Sequence, residues 1–206
     1  MEEEVLGQWT VVAPLCLYRC NRCVWGRAAL FFLLILFVLG FPFATSADVT
    51  GVVVGVADGD TVTVLDADRN QHKVRLAGID APEKAQPFGQ RAKERMSTLV
   101  FGKDVRLEGD KLDRYGRTVA KVWVSPPDCQ RCPKTLDAGL AVLTSGLAWH
   151  YKKYQYEQSA EDRERYAFAE IEARSKRAGL WSEADPVPPW DWRKSKSSGG
   201  EQNANR

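Results

Sequence analysis

Residues 52–83 read VVVGVADGDTVTVLDADRNQHKVRLAGIDAPE. Val52–Val56 is a β-branched run that ends on the turn signal Asp58-Gly59. Thr61–Leu65 alternates Thr with Val, and Asp66–Asn70 supplies a second turn. His72–Ala77 alternates again, with Val74 and Leu76 on one face and Lys73 and Arg75 on the other. Three short strands with one apolar face each need a partner layer. Two further strands are expected at Asp104–Glu108 and Thr118–Val124. Between the two groups, Phe88, Ala92, Met96 and Leu99 recur at helical spacing up to Gly102. Leu136, Leu140, Leu143 and Leu147 form a second stripe, with Thr135 as the expected N-cap. Ser159-Ala160-Glu161-Asp162 opens a third helix like a capping box, and Gly179 is the expected stop. Three strands, a helix, two strands and two helices predict an α+β fold that is mainly β. It is a five-stranded Greek-key barrel of the OB type with about three helices.

The chain carries 29 Lys+Arg against 27 Asp+Glu over 206 residues, a net charge of +2. That excludes a histone-like or strongly acidic protein but allows a local basic patch. Only His72 and His150 are present, which argues against a His-rich metal centre. No charged residue occurs from Ala28 to Ala47, and Arg27 stands before this stretch. A positive flank, the short apolar core Ala28–Leu39 and the small-residue exit Ala44–Ala47 describe an export signal cut after Ala47. The rival is an uncleaved N-terminal anchor in the inner membrane. Residues 1–47 are therefore read as signal peptide or anchor, 48–194 as the folded domain and 195–206 (SKSSGGEQNANR) as a disordered polar tail. The protein is expected to be secreted or periplasmic, or else held at the membrane through residues 28–47. Cys16, Cys20 and Cys23 fall in the leader and read as incidental. Cys129 and Cys132 lie between Pro127 and Pro133, where an exported protein most simply makes a small-loop disulfide.

Three segments carry chemistry: Asp58–Thr61, Arg75–Glu83 and Asp113–Arg117. Singly, turn formation explains each of them. Together they form a coherent set. Asp60 and Asp80 offer hard oxygen donors without His or Cys, which suits Ca²⁺ with waters. Glu83 is a third carboxylate, placed to activate a water. Arg75 and Arg117 are planar forks that match phosphate oxygens. A metal plus two arginines around a phosphate is a transition-state clamp. The Lys111, Arg114 and Arg117 cluster, interleaved with Tyr115, points to phosphate contact.

At DGDT (58–61), RLAGIDAPE (75–83) and DRYGR (113–117) the sequence resembles the staphylococcal nuclease (thermonuclease) family. The motifs keep the family's order, and the resemblance spans about residues 48–193. The ending PVPPWDWR (186–193) also looks like that of secreted bacterial members. The resemblance implies a Ca²⁺-dependent, sugar-nonspecific endonuclease acting on DNA and RNA, active as a monomer, with 3′-phosphate products. It implies Asp60, Asp80 and the Ala81 backbone carbonyl as metal ligands. Ala81 stands where many members have Thr, so any hydroxyl contribution is lost. Glu83 would be the general base, with Arg75 and Arg117 on the scissile phosphate. Tyr115 and a tyrosine of the stretch Tyr151–Tyr156, taken as Tyr151, would stack on the nucleotide, beside the phosphate contact read above at Lys111. The alternative is a non-catalytic OB-fold nucleic-acid-binding module. The full set of five catalytic-type residues separates the two.

Overall fold

The computed structural model describes residues 48–129 and 131–204. The leader, with its cysteines and apolar run, lies outside them. The barrel is built from β1 (Val49–Val56), β2 (Thr61–Asp66), β3 (Gln71–Leu76), β5 (Asp104–Leu112) and β6 (Thr118–Val124). Neighbours run β3-β2-β1-β5-β6, all antiparallel. A parallel pairing of Val74–Leu76 with Thr118–Ala120 closes the barrel. Closure removes the exposed edges that an open sheet would leave.

The period-2 pattern explains the core. Val62 and Val64, Val74 and Leu76, Val105 and Leu107, and Ala120, Val122 and Val124 all point inward and are buried. On β1, Val53 is buried while its neighbours Val52 and Val54 are exposed. Strand β5 runs four residues past the expected end at Glu108. A bulge between Glu108 and Lys111 breaks the alternation there and hides the continuation from a pattern reading.

Helix α1 (Gly89–Val100) packs Ala92, Met96, Leu99 and Val100 against the barrel. Phe88, expected on its stripe, sits just before it at a left-handed φ of 65°. The Lys103 ammonium donates to the Thr98 and Leu99 carbonyls and satisfies the helix's last turn. The short strands β4 (Ile79–Asp80) and β8 (Trp149–His150) pair with each other, and β7 (Leu136–Asp137) pairs with β6.

Helix α2 (Ala138–Thr144) corrects the cap reading. Asp137, not Thr135, accepts from the Leu140 N–H at 3.1 Å, and Leu136 belongs to β7. An Asp two residues on from the Thr caps equally well, and the β6–β7 pairing selects it. Ser159 does cap α3 (Ala160–Ser175), accepting from the Asp162 N–H at 3.0 Å. Helix α3 ends four residues before Gly179, with Arg177 in the left-handed region instead. Gly179 serves close approach: a Cβ there would lie 2.2 Å from the Gly146 carbonyl oxygen.

Leu180 and Trp181 join Trp149 and Ala173 in a second small core. Helix α4 (Pro189–Ala204) makes four α-helices rather than three among the described residues. It opens with Pro at its first position and continues into the polar stretch from Ser195, where composition argues for disorder. Extending a docked helix adds a hydrogen bond for each residue ordered, whereas starting one is costly. Cys129 and Cys132 are disulfide-bonded in the loop between β6 and β7, with Cα atoms 5.4 Å apart.

Candidate active site

The Asp58–Thr61 turn links β1 to β2. The Asp58 carboxylate accepts the Asp60 N–H at 3.1 Å, which fixes the turn. Gly59 lies flush on α1: a Cβ there would come within 2.6 Å of the Ala92 Cβ and 2.8 Å of the Ala81 Cβ. That contact presses Asp60 into the protein, where it is buried. The Asp60 Oδ2 accepts the Ala81 N–H at 2.7 Å, and its Oδ1 accepts from Thr61 Oγ1 at 3.0 Å. Burial pushes the Asp60 carboxyl above the usual carboxylate value, and Arg75 offsets this only in part.

Arg75 leaves β3 and forks. Its Nη1 donates to Asp60 Oδ1 and its Nη2 to Asp80 Oδ1, both at 2.7 Å. One planar cation thereby joins two carboxylates from separate segments. Its burial disfavours the charge, but Asp60 and Asp80 together hold the guanidinium firmly protonated. Asp80 is fixed by the β4–β8 pairing opposite Trp149 and has 0% side-chain exposure. Glu83 lies two residues past Ala81, and 39% of its side chain is exposed.

Arg117 comes from the β5–β6 turn. There the Asp113 Oδ1 accepts the N–H groups of Tyr115 and Arg117, and its Oδ2 accepts from Arg117 Nε at 2.8 Å. Slight burial would raise the Asp113 carboxyl, but the Arg117 bonds bring it below its ordinary value. Tyr115 is 71% exposed, with the guanidinium groups of Arg114 and Arg117 over its ring. Lys111 ion-pairs with Glu157. Tyr151 stacks on Trp190 with centroids 5.9 Å apart.

The structure therefore sorts the expected residues into two groups. Asp60, Arg75, Asp80 and Ala81 form one bonded cluster, and Glu83 stands beside it. Arg117, Tyr115, Lys111 and Tyr151 do not bond to that cluster. They line the same cleft, of about 1140 Å³, as Asp60, Arg75, Ala81 and Glu83. A volume of that size is ample for a polymer segment. Among the described residues no group of three or more His, Cys, Asp and Glu side chains has metal-holding geometry. Asp60 and Asp80 bring two buried carboxylates onto one guanidinium. Their chemistry is hard and oxygen-only, of the kind that suits Ca²⁺ rather than a thiolate- or imidazole-bound metal.

One residue escaped the sequence reading. Arg193 on α4 donates from Nη2 to Asp80 Oδ2 and from Nη1 to Glu83 Oε1, each at 2.6 Å. Its signal was present in PWDWR. Trp190 packs on Trp149 and Tyr151, and helical spacing puts the residue three positions on over the same face.

The staphylococcal nuclease homologue family model matches residues 73–183. The chain is 42% identical over 148 residues to Protein ParB of Escherichia coli, covering 72% of this chain and 81% of that protein. It is 40% identical over 150 residues to a micrococcal nuclease of Shigella flexneri, covering 72% and 82%. It is 38% identical over 160 residues to an uncharacterized endonuclease of Escherichia coli O157:H7, covering 78% and 94%. With the matched region holding the closing barrel strands and most of the bonded cluster, the chain belongs to the staphylococcal nuclease homologue family.

Proposed function

We propose that the protein is a Ca²⁺-dependent, sugar-nonspecific endonuclease that hydrolyses the phosphodiester bonds of DNA and RNA. The observation that carries this reading is the Arg75 fork, held by two buried carboxylates at the wall of a large cleft. Asp60, Asp80 and the Ala81 carbonyl would hold the ion. A bound Ca²⁺ supplies Lewis-acid polarisation of a phosphoryl oxygen. Glu83, open to solvent at the cleft, takes the proton of the attacking water. Arg75 and Arg117 stabilise the charge that develops on the phosphate oxygens, and Tyr115 offers an aromatic face to a base. These contacts address phosphate and base rather than the sugar, which supports action on both nucleic acids. The micrococcal nuclease and endonuclease names of the relatives support the same reading. We read residues 28–47 as the segment that exports or anchors the protein. Among the described residues no helix is long and apolar enough to cross a membrane.

The test is digestion of plasmid DNA and of RNA by the full-length chain, with Ca²⁺, with Mg²⁺ and with EGTA. Cleavage of both substrates with Ca²⁺, lost in EGTA and in Glu83→Gln, is the expected result. Tight binding without cleavage would instead make the protein a binding module. Full activity in Glu83→Gln would remove the assigned base.

A further inference from the structure

Asp80 is sealed under two arginines. Its side chain has no exposed surface, Oδ1 accepts from Arg75 and Oδ2 from Arg193. Ala81, Asp60 and Glu83 line the cleft, but Asp80 does not. Arg193 spans from Asp80 to Glu83, so one guanidinium is bonded to two carboxylates of the site at once. We propose that Arg193 is a resident cation that competes with the divalent metal. Helix α4 then acts as a latch, closed while Arg193 bridges Asp80 and Glu83 and released when a metal ion takes Asp80. The proposal rests on the reading that Asp60 and Asp80 hold Ca²⁺.

Two observations say that Arg193 yields, and not Arg75. Arg75 is 16% exposed, sits in a barrel strand and is shared between Asp60 and Asp80. Arg193 is 42% exposed and sits on the last helix of the fold. A dication needs direct carboxylate bonds and repels a guanidinium on the same carboxylate. The contact under strain is therefore the peripheral one. The helix is also tied to the segments that carry Asp80 and Glu83. Trp190 packs on Trp149, the residue opposite Asp80 in the β4–β8 pair. Gln86 accepts the Glu83 N–H at 3.1 Å and donates to the Val187 carbonyl at 2.6 Å, joining the Glu83 loop to the strap before α4. Such a latch keeps Asp80 and Glu83 occupied until metal is plentiful.

The experiment is calorimetric titration of CaCl₂ into the metal-stripped full-length chain and into Arg193→Gln, with hydrogen exchange of residues 189–197 followed in the wild type. Arg193→Gln is expected to bind Ca²⁺ at least about tenfold more tightly, because the competitor is gone. Arg193→Lys should fall between the two. Saturating Ca²⁺ should speed amide exchange across 189–197. Equal or weaker affinity in a folded Arg193→Gln overturns the latch and leaves the metal reading intact. Unchanged or slower exchange in the wild type overturns it even if the variant does not fold. Absence of Ca²⁺ binding to either protein overturns the metal reading, and the latch with it.

Discussion

The barrel cluster and the β5–β6 turn each join arginine to aspartate, yet the two pairs do different work. In the cluster, Arg75 lies between two buried carboxylates, and every partner depends on the others. In the turn, Arg117 and Asp113 close a local loop four residues apart, part-buried, with no second carboxylate on the guanidinium among the described residues. A fully buried carboxylate without its partner is costly, whereas a local pair still in touch with solvent contributes about 1 kcal/mol. The cluster therefore ties the proposed catalytic site to folding. The turn holds its guanidinium in place at little consequence to the fold.

The sharpest way to break this comparison is to truncate each arginine in turn. Arg75→Ala should destabilise the protein by about 3–5 kcal/mol, because Asp60 and Asp80 lose their shared cation. It should also abolish cleavage. Arg117→Ala should leave stability within about 1 kcal/mol of wild type. It should lower kcat by about 10²–10³, as expected for loss of one donor to a developing oxyanion. Urea unfolding in EGTA together with single-turnover cleavage measures both quantities. Equal destabilisation by the two variants would end the distinction.

A smaller effect carries opposite signs in the two regions. The folded state holds Asp60's carboxyl above its ordinary value near 3.8. Its contribution to stability is therefore present below that value and is lost as pH rises through the folded pKa. Asp113 is held below its ordinary value near 3.8. Its contribution is present above that value and is lost as pH falls through the folded pKa. Relative to wild type, Asp60→Asn should gain stability from about pH 4 upward, at no more than about 1.4 kcal/mol per pH unit. Asp113→Asn should lose its deficit below about pH 4. The check is unfolding free energy against pH in EGTA for the three proteins. Slopes of one sign in both variants would show that the turn is electrostatically part of the cluster.

The two regions also differ in how far the sequence exposes them. Alternation around Val62, Val64, Val74 and Leu76 is a local signal, and all four are buried as it predicts. Asp60, Arg75 and Asp80 were legible as a motif, but their bonding was not. The Arg75 fork depends on the β2–β3 register and on Gly59 lying against Ala92. Arg193 was hidden because it lies 110 residues from Glu83 in sequence and reaches it only through the docking of Trp190. The Asp137 cap was missed for a similar reason. Two adequate caps stood in the sequence, and a tertiary strand pairing chose between them.

Lys111 provides the finest test of the turn's independence. It follows the β5 bulge, is exposed, and pairs with Glu157 of the 3₁₀ segment Lys152–Glu157, which is kinked at Tyr154. The bond to Glu157 raises the pKa of its ammonium, so it stays charged at every pH of interest. Both partners line the cleft. Loss of so exposed a pair should not move Tm measurably. Lys111→Met should instead raise KM a few-fold with kcat unchanged, as expected for a phosphate contact that positions the strand without meeting the reacting atoms. The slope of log KM against log salt on single-stranded DNA should fall by about 0.7, the release of roughly one counterion. A fall in kcat rivalling that of Arg117→Ala would mean that Lys111, Tyr115 and Arg117 act as one catalytic unit. The salt slope distinguishes the cases, because a residue acting only in the transition state leaves ground-state counterion release unchanged.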